Sequence, residues 1–526
     1  MGQRYFKRNY FIVFSLVVTL LTGCSFSIPT EVENATANIV EPEKTNLSYP
    51  VPKSIPNVLV DQNGYEMKST KIALFRGDNL QSSFEVVDAE SGEIVYTGDI
   101  VAKGLNEETG EYISYGSFSE LEKIGTYYIQ TAKIGQSYPF VIEENLYDEL
   151  IPSIQKTLFF NRCGMDITAE YADEVHIHKA CHTENISSLS SDEKLNGKEI
   201  KEEQLDLTGG WHTDLNGNRD VADGCNIVQN LLLTNELYAQ DMTDDVGIPE
   251  SGNQIPDILD EVKYEIDWLQ KMQNSKTGGV YSGIMNAQLN PVTPEATADF
   301  ASTMAIFYTS YVNYDAPYAR NCLRMAELAW KYLQTNAVKP TEETQVSKIA
   351  KYNAAAQLFK ATKDIKYHTY VKEHYTTVYD AESNIENREL YVYIAYLTTS
   401  MKVDTSICKA IMDKWMDRAE RIVEEAKKGF YFVIGDSNED MLDEMLCLSV
   451  IDHVITNHEY VTVLESHLHY FLGRNRDAVS YIEGYGDVYS IETEMQCKLT
   501  QQSKMSASLL FMLEEIITED TEEFGE

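Results

Sequence analysis

Four residues able to hold a soft metal ion stand in three short stretches: Cys163 in "NRCG", Cys181 and His182 in "KACH", and His212 in "GGWH". Two thiolates and two imidazoles are a closed tetrahedral donor set, the usual composition of structural zinc. Their spacing is far wider than that of a zinc finger. From spacing alone, scattered core cysteines and surface histidines are the simpler reading. The third stretch runs on as "GGWHTDLNGNRDV", Gly209 to Val221, in which Asp214 lies between the uncharged polar residues Thr213 and Asn216. A carboxylate on such a turn can serve as a base, whereas Thr and Asn cannot cycle a proton near neutral pH. His467 and His469 in "HLHYFLG" invite a second metal reading, but residues i and i+2 of a helix do not face one another. They read as packing and surface positions.

One more cysteine stands apart. Arg4, Lys7 and Arg8 precede the apolar run "YFIVFSLVVTLL", which leads into "LTGC" ending at Cys24. This is the form of a secretory signal peptide closed by a lipobox, too short for an ordinary spanning helix. The reading makes Cys24 the lipidated first residue of a bacterial lipoprotein held outside the cytoplasmic membrane by its lipid alone. The remaining cysteines, scattered over a large domain, do not read as a disulfide framework.

Asp and Glu number 83 against 43 Lys and Arg, a formal net charge of −40. Such a field repels phosphate backbones and anionic membrane surfaces, which excludes nucleic acid as a partner. An acidic surface rich in tyrosine, 34 in all, suits neutral polysaccharides, because aromatic faces stack on sugars without charge pairing. Nothing in the sequence speaks for or against calcium, or sets an oligomeric state.

The elements that must position these residues fall into two kinds. Residues 24–54 are polar and proline-bearing without periodicity, as in a flexible tether following a signal peptide of residues 1–23. From 55 to 145 short alternating runs such as "KIALFRG", "SFEVVDAESGEIVYTG" and "GTYYIQTA" are separated by turns at sandwich-like spacing, predicting an immunoglobulin-like β-sandwich. From 146 to 520 the period lengthens. "DGCNIVQNLLLTNELYAQ", "IPDILDEVKYEIDWLQKMQ", "TADFASTMAIFYTSYVNY" and "MLDEMLCLSVIDHVITN" carry apolar residues at three-to-four spacing, predicting a globular array of helices without a heptad register or a solenoid repeat.

Taken together, "GGWH", "GIPESGNQIPDILDEVKYEIDWLQKMQ", "GGVY", "TPEATADFASTMA", "YNAAAQLFKAT" and "YFLGRNRDAVSYIEGYG" resemble glycoside hydrolase family 9, the inverting endo-β-1,4-glucanases. The sandwich resembles the N-terminal module of one branch of those cellulases. The likeness implies an (α/α)6 barrel with a β-glucan cleft at one end. It also implies that Cys163, Cys181, His182 and His212 are a structural zinc site pinning the GGWH loop beside that cleft. Trp211, Tyr281, Tyr481 and Tyr485 fall in or near cleft-forming motifs and are expected to contact sugar, with a core position the equal alternative for Trp211.

The same resemblance exposes a deficit. An inverting glycosidase needs a carboxylate base and a carboxylic acid roughly 6.5–9.5 Å apart, with the water between them. A gapless match places Thr213 and Asn216 where the family keeps its base and the base's helper, and Thr500 near the position of its acid. The loop after Gly486 is too short to carry the family's histidine-bearing segment. Asp214 is the fallback base, displaced by one residue; Glu483, Asp487, Glu492 and Glu494 are the carboxylates available to pair with it. The sequence therefore predicts a family relative that recognises β-glucan with standard hydrolysis lost or impaired. The alternatives are an endo-β-1,4-glucanase with relocated acids and a non-catalytic structural protein of the cell surface.

Overall fold

In β3, Ile72–Arg76, the four residues "IALF" ahead of Arg76 are apolar without interruption, and the structure shows why: the strand is covered on both faces. Ala73 and Phe75 point into the sandwich core, while Leu74 joins Leu59, Ile113, Tyr138 and Ala478 in a second cluster backed by Phe430, Tyr431 and Phe432. This computed structural model describes residues 52–187, 204–336, 343–379, 387–435, 437–455, 457–486 and 499–522. Cys24, the signal peptide and most of the tether lie outside them, as do Asp487, Glu492 and Glu494.

The sandwich comprises two sheets. One runs β1 (Val58–Leu59), β3, β7 (Glu111–Ser117), β6 (Val101–Asn106). The other runs β2 (Gly64–Glu66), β10 (Phe140–Glu143), β8 (Gly125–Thr131), β4 (Ser83–Asp88), β5 (Ile94–Asp99), with β9 (Gly135–Gln136) on β8. The pairings between these strands are antiparallel except β2 with β10. Tyr65, Phe75, Phe84, Phe118, Tyr127 and Phe140 fill the space between the sheets. Tyr65 meets Phe118 and Phe140 edge-on at 5.2 and 5.4 Å, the geometry that ring quadrupoles favour.

Six residues after β10 the helices begin. Six of them, α2 (Val221–Leu237), α4 (Pro294–Tyr311), α6 (Gln345–Thr362), α8 (Asn387–Thr398), α10 (Asn438–Ile455) and α12 (Ser503–Glu522), pack in sequence, and α12 closes the ring on α2. Outside them lie α1 (Leu150–Phe160), α3 (Asp257–Met272), α5 (Ala316–Thr335), α7 (Ile365–Tyr379), α9 (Thr405–Lys428) and α11 (His458–Phe471). This is an (α/α)6 barrel. The outer helices bury one stripe, as α5 does with Ala319, Cys322, Ala326, Ala329, Trp330 and Leu333. Inner helices are covered all round, so their polar residues must satisfy one another. Asn353 donates to Gln229 at 2.8 Å, Gln229 to Thr303 at 3.0 Å, and Asn230 to Ser508 at 3.3 Å.

Sandwich and barrel belong to one compact unit, residues 47–526. Their seam is polar and buried: His469 of α11 meets Asp61 at 2.8 Å, and the Arg474 guanidinium bonds Ser466 and the Ile72 carbonyl. His469 and His467 are both fully buried structural groups, not a metal pair, and the latter receives the Ile434 N–H.

Candidate functional site

The donor atoms of Cys163, Cys181, His182 and His212 all lie within 4.8 Å of one another. Cys163 Sγ is 3.4 Å from His182 Nδ1 and 3.6 Å from Cys181 Sγ, whose own distance to His212 Nε2 is 3.4 Å. With Zn–S of about 2.3 Å and Zn–N of about 2.0–2.1 Å, a tetrahedron has edges of about 3.3–3.8 Å. The four side chains thus fit a zinc ion, and no fifth ligand position is needed. Burial pushes His212 down to about 4, which leaves a neutral imidazole able to coordinate.

Three local features bring the cluster together. Cys163 follows the end of α1, where Arg162 bridges to Trp211 and the Cys163 N–H donates to the Gly210 carbonyl. His212 donates its N–H to Asn161, and Tyr264 of α3 donates its hydroxyl to the Cys163 carbonyl. Gly210 sits at φ +76°, and a Cβ there would lie 2.7 Å from the Trp268 ring. Gly210 is therefore required by its close approach to α3, and Gly209 by its backbone at φ +111°. Glu265 accepts the Trp211 N–H at 2.7 Å, and Glu261 accepts its indole N–H at 3.3 Å.

Beyond His212 the chain folds on itself. Asp214 accepts from the N–H groups of Asn216 and Asn218 and from the Asn218 amide. Although partial burial opposes ionisation, these bonds hold its carboxyl below the usual range. The Thr213 hydroxyl accepts the Asp220 N–H at 3.0 Å, and Asn216 is exposed.

The turn ends at the rim of a polar cavity of about 570 Å³. Its walls come from the N-terminal ends of all six inner helices: Asp220 and Asp223 from α2, Glu295 from α4, Val346 from α6, Arg388 from α8, Asp443 from α10 and Lys504 from α12. Arg388 is held by Asp299 at 2.8 Å and Glu295 at 3.2 Å; Lys504 donates to Glu439 at 2.6 Å. Asp220 caps α2 by accepting from Ala222 and Asp223 N–H groups. Burial, then the neighbouring Asp220, pushes Asp223 up to about 6. This pair, like the two cations, was not singled out in the sequence, although the stretch "RDVADG" carried the signal: Asp before an apolar run is a helix N-cap.

Residues 147–506 match the sequence model of glycosyl hydrolase family 9, and residues 53–136 that of the cellulase N-terminal ig-like domain. The chain belongs to glycosyl hydrolase family 9. A cellodextrinase of Butyrivibrio fibrisolvens is 28% identical over 483 residues, covering 82% of this chain and 85% of that one. Among solved structures, a metagenome-derived family 9 endoglucanase superposes with a TM-score of 0.74 at 22% identity, over 87% of this chain and 98% of that one. A zinc-binding triple mutant of the family 9 endoglucanase J30 gives 0.71 at 20% identity, over 86% and 99%.

Within this family 9 barrel two of the aromatic expectations, Trp211 and Tyr481, need correction. Trp211 is fully buried and both its N–H groups are spent on α3, so it offers no face to a sugar. Tyr481 is also buried, its ring against Tyr470. Tyr281 and Tyr485 are half-buried and neither lines the mouth; the Tyr485 hydroxyl donates to the Glu149 carbonyl. Glu483 sits 3.8 Å from His176, away from the cavity walls. Thr500 falls in the 3-10 turn Leu499–Gln501 ahead of α12, and its side chain lies outside the described residues.

Proposed function

We propose that this family 9 protein recognises β-1,4-glucan at the barrel mouth with the family's inverting catalysis lost, and that it does so as a lipoprotein anchored through Cys24 outside the cytoplasmic membrane. One observation carries the loss of catalysis: the loop expected to supply the base is spent on its own architecture. Thr213 braces Asp220, Asn216 faces solvent, and both Asp214 oxygens accept from the loop's own N–H groups. The mouth itself remains open and polar, which supports retained binding. Reducing-sugar release from soluble β-glucan, run beside affinity electrophoresis in the same polymer, tests both halves. The expected result is retarded migration without turnover above a control preparation. Clear endo-cleavage abolished by Asp214→Ala would make Asp214 the relocated base. Blocking lipobox processing, or Cys24→Ala, should leave the protein unanchored; an untreated wild type released into the medium would contradict the anchor.

A second reading rests on Asp220 and Asp223. An acid raised to about 6, beside a second carboxylate and facing a cavity, has the acid-base character a glycosidase needs. On that reading cleavage would survive Asp214→Ala and vanish in Asp223→Asn.

The Cys163–Cys181–His182–His212 set is proposed to hold structural zinc. When bound, the ion supplies cross-linking of three loops and no activated water, since all four positions are protein ligands. The protein's own residues then hold the GGWH turn at the rim of the mouth.

A further inference from the structure

Two of the four donors in the Cys163 cluster are sulfurs, and Cys163 Sγ stands 3.6 Å from Cys181 Sγ. A disulfide bond is about 2.05 Å long, so an approach of about 1.5 Å would join them. The pair is asymmetric. Cys163 is buried and held on both sides, its N–H donating to Gly210 and its carbonyl accepting the Tyr264 hydroxyl. Cys181 is half-exposed, on a loop in which Lys179, Ala180, His182 and Thr183 are exposed. A solute can reach Cys181, while Cys163 waits behind it. Cys225, Cys322 and Cys447 are buried in α2, α5 and α10, closed to such a solute.

The loop of Cys181 also touches the turn at the mouth. A Cβ on Gly217 would lie 3.1 Å from the His182 ring, and that ring meets His212 edge-on at 5.4 Å. Movement of Cys181 toward Cys163 is thereby coupled to the seat of the turn 213–218.

We propose that Cys163 and Cys181 form a peroxide-responsive pair: oxidation joins them, gives up the zinc and loosens the turn 213–218 at the rim of the mouth. The inference rests on the zinc reading above. Zinc binding requires both sulfurs as thiolates, which is also the form that attacks a peroxide. The Cys181 thiolate attacks one oxygen of hydrogen peroxide, the O–O bond breaks, and a sulfenic acid and hydroxide result. The Cys163 thiolate then attacks the sulfenic sulfur; the S–S bond forms and a second hydroxide leaves. The two electrons lost by the sulfurs reduce the peroxide. His182 and His212 are then the only donors left, half of the set that structural zinc takes. A dithiol reductant reverses the change.

The full chain, loaded with zinc and freed of excess metal, is titrated with hydrogen peroxide. Released zinc is followed with a chromogenic chelator, and the cysteines are mapped by mass spectrometry of a non-reducing digest. The expected result is loss of one zinc for each Cys163–Cys181 bond formed, faster amide exchange across 213–218, and recovery of both with dithiothreitol and zinc. Zinc retained under peroxide, Cys181 carried to sulfinic acid without the bond, or a bond to another cysteine would each overturn the proposal. Bond formation with unchanged exchange would overturn its link to the mouth. Elemental analysis before the oxidant is added keeps two failures apart. A chain that takes up no zinc refutes the zinc reading and this inference with it, whereas a chain that holds zinc and keeps it refutes this inference alone.

Discussion

Cys181 is the most informative single residue. Cys181→Ala leaves three ligands and a half-exposed gap, so elemental analysis should find one zinc per wild-type chain and none in the variant, with stability lower by on the order of a few kcal/mol. Equal metal content in the two would remove the site. These ligands could be named from the sequence only through family resemblance, because a site gathered from three loops has no characteristic spacing. Trp211 shows the opposite failure. Its motif speaks of a cleft, but the depth of the ring is decided by Glu261 and Glu265, some fifty positions later, and no local pattern announces that partnership. Asp220 and Asp223 stayed unnoticed because a helix cap and a cavity wall look alike in a sequence. Only the convergence of six helix starts distinguishes them.

Among the elements, the turn bearing Gly209 and Gly210 tolerates little change. Gly210→Ala forces a side chain into φ +76° and places its Cβ 2.7 Å from Trp268 and 2.9 Å from Glu265 Oε2. The conformational strain alone costs about 1–3 kcal/mol, and the overlap adds to it. Thermal denaturation of Gly210→Ala should show a lower midpoint; an unchanged midpoint would mean the turn relaxes freely. The strands and most helices were legible because half-buried elements write their period into the chain. α5 and α9 do so clearly, the latter through Ile407, Ile411, Trp415, Ile422 and Ala426. One inner helix blurs the signal. α8 reads "LYVYIAYL", as compatible with a strand as with a helix, because it is covered on every side and so has no polar stripe to reveal its period.

Across the whole molecule, sandwich and barrel share a seam of buried polar groups, with His469 against Asp61 and Arg474 against Ile72 and Ser466, and the first sheet spends its outer face on Ala478 and Phe432. Splitting them would expose an apolar sheet face and leave buried polar groups and the Arg474 guanidinium without partners, which is costly. Calorimetry should therefore record one transition, or two closely overlapping; two well-separated peaks would indicate independent modules. The convergence of inner helices on the mouth has an electrostatic consequence as well. Each helix start presents about half a positive elementary charge, from N–H dipoles that add along the axis. Six such starts, joined by Arg388 and Lys504, set about five positive charges against Asp220, Asp223, Glu295 and Asp443 and against Asp299 and Glu439, which hold the two cations. A chain of net charge −40 thus keeps a nearly neutral throat at its barrel mouth. An uncharged polymer can enter it without shedding counterions, whereas amidating Asp220, Asp223 and Asp443 together would turn the same throat into a trap for anions.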